Sequence, residues 1–200
     1  MGDNRFQTIG GELCLDFANT ADWHRHEEPR RMLVMYSDLV EWGRQLQILT
    51  RAEAERLLGD GEKRNKESAA VLKAAWELQD TIYHLFAARV AGKTPQEKDL
   101  NALNNIMTLT LTRQRIGYSS KKFQWEWDIA DDALDQMLWH VVRSAMDLLT
   151  SEHVSRVKMC GECGWLFLDT SKNGSRRWCI MEVCGNRAKA RRHYARSRKG

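Results

Sequence analysis

Residues 160–184 read CGECGWLFLDTSKNGSRRWCIMEVC, and the four cysteines in that stretch decide how the C-terminal quarter of the chain folds. Two residues separate Cys160 from Cys163, fifteen follow, and four more lie between Cys179 and Cys184. Two close pairs joined by a loop let a short chain offer four soft sulfur ligands from two backbone turns, the tetrahedral thiolate set that zinc prefers. Four protein ligands also close the coordination sphere, so the expected Zn2+, one per chain, is structural and not catalytic. So small a segment buries too little apolar surface to fold alone; metal binding supplies the free energy, with Trp165, Phe167 and Trp178 as a miniature core. A redox Cys-x-x-Cys fits less well, because it needs βαβ surroundings and leaves Cys179 and Cys184 without a role.

Outward from the ligands, Gly164–Asp169 has strand character and Thr170–Ser175 is a turn. A return strand is expected through Arg176-Arg177-Trp178, with a helix beginning near Cys184. Knuckle, hairpin and a second pair at a helix start make a treble-clef-like finger. On the helix, Ala188 and Ala195 fall on the side of Cys184, Lys189, Arg192 and Arg196 form one stripe, and Arg187, Arg191 and Arg198 form another. No acid occurs from Arg187 to Gly200. Residues 151–200 hold twelve Lys and Arg against four Asp and Glu, whereas the first 150 residues hold 19 against 23. Ordinary solvated helices mix signs; a one-signed surface attracts polyanions. Double-stranded DNA is the first expected partner, held by Arg176, Arg177, Arg187, Lys189, Arg191, Arg192 and Arg196, with Asn186 and His193 as candidates for base contacts that nothing in the sequence fixes against a groove. RNA, stacked on Trp165, Trp178 and Tyr194, is the second reading. A zinc-thiolate stress sensor or protein-interaction module is the third.

The rest of the chain reads as α+β, mainly α: an N-terminal helical domain (1–150) with a small antiparallel sheet, followed by the finger (151–200). Phe6–Ile9, Gly10-Gly11 and Glu12–Phe17 predict a β-hairpin, since Leu13, Leu15 and Phe17 alternate with Cys14 and Asp16. Ser37 is placed to cap a helix through Leu46, and Thr50 with Glu53 makes a capping box before Ala54, Leu57 and Leu58. The polar run 59–65 reads as a break, after which a long helix carries Leu72, Ala75, Trp76, Ile82, Leu85 and Phe86 and ends at Gly92–Pro95. Another helix follows from Glu97. Leu109–Arg113 and Phe123–Ile129 predict two strands joining the N-terminal hairpin in one sheet, and a helix over 131–149 turns Leu134, Leu138, Val141, Val142, Ala145 and Leu148 inward.

At this length the motifs become recognisable. The runs Cys160–Ser171, Arg176–Arg187 and Lys189-Ala-Arg-Arg resemble the CGNR zinc finger, named for the tetrapeptide seen here as Cys184-Gly185-Asn186-Arg187. Gly10-Gly-Glu-Leu-Cys-Leu-Asp-Phe-Ala-Asn-Thr20 resembles the opening of the ABATE domain. The resemblance covers nearly the whole chain and implies a bacterial stress-induced transcription regulator whose finger binds DNA, with the four cysteines as zinc ligands. Cys14 stands where alanine is common, which implies a packed small residue.

Asp16, Asn19 and Thr20 either hydrogen-bond a turn or line a small-molecule pocket with Trp42 and others among Trp23, Trp76, Trp125 and Trp139. His24 and His26 beside Glu27 and Glu28 read as a solvated loop. No nucleophile elbow, phosphate-binding glycine loop or histidine-carboxylate set supports catalysis, so no enzyme is expected. Apolar runs fall far short of the roughly 18 residues of a membrane span, and the charged start does not resemble a signal peptide, so no membrane association and a cytoplasmic location are expected. Because operators are often palindromic, a homodimer is expected as well.

Overall fold

The computed structural model describes residues 5–22, 30–128 and 133–197. Its hub is helix α1, Leu13–Ala18, in which Cys14, Leu15, Asp16, Phe17 and Ala18 are all buried. This corrects the expected hairpin. A six-residue helix enclosed on every side shows no amphipathic period, and its accidental leucine alternation mimics a strand. Gly10-Gly11 does not turn a hairpin; it brings the chain to the helix start, where the Gly10 N–H donates to Asp16 Oδ1 at 2.7 Å. The Cys14 thiol is fully enclosed, and burial pushes its pKa up to about 12.

A two-residue ladder of β1 (Ala21–Asp22) and β2 (Arg30–Arg31) follows. Helix α2, Tyr36–Gln45, is not capped by Ser37 as expected; Asp38 Oδ2 instead accepts from the N–H groups of Val34 (2.8 Å) and Met35 (3.0 Å). The Thr50–Glu53 capping box opens α3, Arg51–Lys63, as read. The separation expected in the polar run 59–65 is there but narrows to Arg64: α3 continues to Lys63, and α4, Asn65–Val90, starts two residues later. Gly61 belongs inside α3 because a Cβ there would lie 2.6 Å from the Tyr36 ring. Helix α5 spans Glu97–Leu111 and α6 spans Gln136–Thr150, starting later than the expected 131; α6 buries Leu138, Val141, Val142, Ala145 and Leu148, and Leu134 is buried just before it.

Between them stands a hairpin, β3 (Gln114–Ser119) paired antiparallel with β4 (Lys122–Trp127), whose turn residues Ser120 and Lys121 both have positive φ, as a tight two-residue turn demands. The first strand therefore lies beyond the expected 109–113, of which 109–111 complete α5; Leu109 and Leu111 alternate in sequence but both are exposed. This hairpin, the β1–β2 ladder and a third pair in the finger form three separate two-stranded sheets, not one. The core lies where α1 meets α4 and α6, with Phe17 edge-on to Trp42 at 5.1 Å. Among the described residues no helix is long and apolar enough to cross a membrane.

A candidate metal centre and its basic surface

After α6, a single 3-10 turn (Glu152–Arg156) leads into β5, Val157–Met159, which pairs antiparallel with β6, Leu166–Leu168. The first cysteine pair occupies the connection between these strands. It is tight: the Gly164 N–H donates to Cys160 O at 2.9 Å, and Gly164 has φ of 74°. Only glycine takes that conformation without strain. The chain then loops through 169–180 to a π turn, Met181–Gly185, and α7, Asn186–Ser197, so the second pair arrives at a helix start as expected. The expected return strand at 176–178 is not formed; β6 pairs backward with β5 across the knuckle.

One sulfur from each of Cys160, Cys163, Cys179 and Cys184 comes together, all within 4.8 Å of one another, with 3.5 Å between Cys163 and Cys179 and 3.6 Å between Cys179 and Cys184. A tetrahedron with Zn–S bonds near 2.3 Å requires about 3.8 Å between sulfurs, whereas a disulfide requires about 2.05 Å. The set fits a zinc ion and not a pair of bridges. Burial opposes ionisation of Cys160, but the backbone N–H groups of Cys179, Cys163 and Glu162 outweigh it and bring its pKa down to about 7. Four thiolates around one Zn2+ make a closed, structural centre.

Phe167, Trp178, Ile9 and Ile180 pack around the sulfurs. Trp165, expected in this miniature core, is half-buried at its edge, lining a cleft together with Cys163, Cys179, Cys184, Asp22 and Met32. Strand β6 decides how the centre relates to the rest. Its alternate side chains point opposite ways, so Phe167 joins the zinc cluster while Leu166 and Leu168 join the helical core. The finger and the helical body therefore share a strand.

That junction explains Asp16, Asn19, Thr20 and Trp42, for which a ligand pocket was one reading. Asn19 Nδ2 donates to Leu166 O at 2.8 Å and Asn19 Oδ1 accepts from Leu166 N at 2.9 Å, both buried. Thr20 Oγ1 donates to Phe17 O and accepts from Gln79. Asp16 holds Gly10, whose carbonyl accepts from Leu168 N at 2.7 Å; burial raises the Asp16 pKa to about 6. Trp42 is 1% exposed, within the core. The polar atoms of Asp16, Asn19 and Thr20 are engaged within the chain itself, and Asn19, with Asp16 acting through Gly10, fastens α1 to β6. Trp23, His24, His26, Glu27 and Glu28 lie outside the described residues. Asn19→Ala strands two buried backbone groups and is expected to lower stability by about 2–3 kcal/mol. The urea midpoint should fall at unchanged zinc content.

The basic residues divide by what they already hold. Arg177, Arg187, Lys189 and Arg192 are exposed. Arg176 is half-buried, 4.8 Å over the Phe167 ring and donating to Cys179 O at 2.6 Å, so its guanidinium serves the finger first. Arg191 is exposed and pairs with the buried carboxylate of Glu162. The side chains of Arg196 and Ala195, and all of Arg198, lie outside the described residues. Arg177, Trp178, Ala188, Arg191 and Arg192 surround a groove of about 410 Å3 between knuckle and α7, with Arg177 stacked on Trp178 at 5.4 Å.

Sequence reasoning missed the buried Asp169, which accepts from Lys158 Nζ (2.8 Å), Ser171 N (3.0 Å), Ser171 Oγ (2.6 Å) and Arg176 N (2.9 Å). Burial works against its charge, yet these donors together hold the carboxyl far below the usual range. Arg156 Nε meanwhile donates to Asp169 O at 2.7 Å. Two cations counted in the basic quarter, Arg156 and Lys158, are thus structural. The signal present in the sequence was Asp169-Thr-Ser171, an Asp two residues before a Ser at a turn.

Comparison with known families agrees with this architecture. Residues 156–197 match the CGNR zinc finger, and residues 11–152 match the ABATE family, described as "Putative stress-induced transcription regulator". Both descriptions concern regulation or metal binding and name no reaction. No curated protein matches the chain. With the ABATE match spanning most of its length and the finger's four sulfurs gathered for one structural zinc, the chain belongs to the ABATE family and carries a C-terminal CGNR zinc finger.

Proposed function

We propose that this protein is a cytoplasmic DNA-binding transcription regulator, in which residues 151–200 hold duplex DNA and residues 1–150 receive the signal. The observation that carries the reading is α7: a helix whose residues 187–197 include no acid, fixed at its start by a zinc ligand. Arg187, Lys189 and Arg192 on α7, with Arg177 on the loop before it, supply an exposed cationic surface whose base is rigid. Arg191 joins them by exchanging Glu162 for phosphate. The polar groups of Asp16, Asn19 and Thr20 are engaged within the fold, which supports a structural role for them.

The test is fluorescence anisotropy of a labelled duplex over a salt series. Lys189→Glu with Arg192→Glu is expected to weaken binding on the order of 100-fold at low salt and to reduce the salt slope by about 2. Unchanged binding in this variant at full zinc content would sink the proposal. Trp178 and Arg177 beside their groove favour RNA as the second reading, because an unpaired base stacks on such a pair. Competition between duplex DNA and structured RNA at one salt concentration separates the two.

A further inference from the structure

Hairpin β3–β4 leaves the body of the molecule with one face bare. Its register sets Ile116 opposite Trp125 and Tyr118 opposite Phe123, so the four side chains share a face. They are 66%, 59%, 64% and 78% exposed in that order. At its root the same face is anchored: Trp127 lies 5.8 Å from the Trp139 ring and donates to His140 Nδ1 at 3.3 Å, and Arg143 donates to Gln114 at 3.1 Å. Beyond the root, Tyr118 and Phe123 lean on each other at 4.8 Å. A two-stranded hairpin is marginal in water, and a contiguous face of large apolar side chains marks a surface that is covered in use.

We propose that this hairpin is the arm of a symmetric homodimer, laid against the arm and the α6 cleft of a second copy. Area favours a partner of protein size. Four such side chains leave on the order of 500 Å2 bare, more than half of the ~800 Å2 per partner that a standard interface buries. The cleft beneath the root, about 450 Å3 between Trp125 and α6, supplies further surface. Charge favours a second copy in particular. Two arms facing across a twofold axis run antiparallel, tip against root. The tip carries Lys121 and Lys122, and the cleft at the root carries Glu12 and Asp147; Arg143 already pairs with Asp147 at 2.8 Å, which leaves the Glu12 carboxylate in excess there. Six strand residues span roughly 20 Å, which brings the lysines of one arm to the carboxylates of the other. Both strands also lack an outer ladder partner among the described residues. This inference stands whether or not the finger binds DNA.

Sedimentation velocity of the full zinc-loaded chain, from low to high micromolar concentration, is expected to show a dimer that dissociates on dilution. Phe123→Glu with Trp125→Glu should weaken association on the order of 100-fold, as loss of central aromatic anchors does. Circular dichroism and thermal midpoint should stay close to wild type, since both side chains are exposed. Lys121→Glu with Lys122→Glu should also weaken the dimer, and adding Glu12→Lys should partly restore it. A wild-type chain monomeric throughout, a dimer indifferent to the arm substitutions, or a charge swap without restoration overturns the proposal. So does a monomer whose arm binds lipid vesicles instead.

Discussion

Replacing Cys163 with serine, or withdrawing zinc with a strong chelator, is expected to disorder α7 and also to loosen α1, at the far side of the shared strand. Structural zinc contributes about 10–16 kcal/mol of apparent binding free energy in small fingers, more than the whole stability of a typical domain. If the finger were a free appendage, its loss would leave the helical body untouched. Here β6 contributes Leu166 and Leu168 to the helical core and satisfies both ends of the Asn19 amide. Unfolding the finger withdraws those groups from the body. Amide hydrogen exchange should therefore accelerate in residues 13–18 as well as in 186–197, and the thermal midpoint of the helical transition should fall. Cys14→Ser provides the contrast. Cys14 is enclosed beside Ser144 and lies apart from the four-sulfur cluster, so zinc stoichiometry should remain at one while stability declines modestly. Unchanged exchange in α1 on zinc removal would show that the shared strand transmits nothing.

What could be read in the sequence follows from where chemistry is local. Cysteine spacing, the Thr50–Glu53 box and the inward stripe of α6 each depend on residues a few positions apart, and each is found in the structure. Helix α1 escaped because full enclosure erases periodicity, and the tertiary setting overrides a six-residue pattern. The strand expected at 109–113 escaped for the opposite reason: its alternation was real, but neither Leu109 nor Leu111 is buried to reward a strand. The partners of Asn19 and Asp16 could not be inferred, since Asn19 meets Leu166 across 147 positions. Polar residues beside a motif suggested a pocket; the fold uses them as fasteners. Charge counting likewise overstated the free basic surface, because Arg156, Lys158 and Arg176 turn inward onto the loop 169–179.

Asp169→Ala is the second large effect expected. The carboxylate is fully buried and receives one ammonium, one hydroxyl and two backbone N–H groups, so its removal leaves the Lys158 charge without its carboxylate and two amide donors without acceptors. Breaking such a pair from one side costs about 3–5 kcal/mol. Its folded-state pKa is depressed, so this contribution is complete at neutral pH, above the unfolded value near 3.9, and is lost only as pH falls below that. Serine cannot reach all four donors, and asparagine would turn an amide N–H toward Lys158 or lose an acceptor; neither should restore the wild-type midpoint. The effect should extend to the metal. Asp169 fixes the Arg176 backbone, and the Arg176 guanidinium in turn donates to Cys179 O, so the loop sets where the second cysteine pair arrives. Zinc affinity, measured by competition with a chromophoric chelator, is expected to fall 10- to 100-fold, the range seen when outer-sphere partners of metal ligands are removed. Destabilisation at unchanged zinc affinity would mean that the loop supports the fold without positioning the ligands, and that the spacing of the cysteines alone sets the tetrahedron.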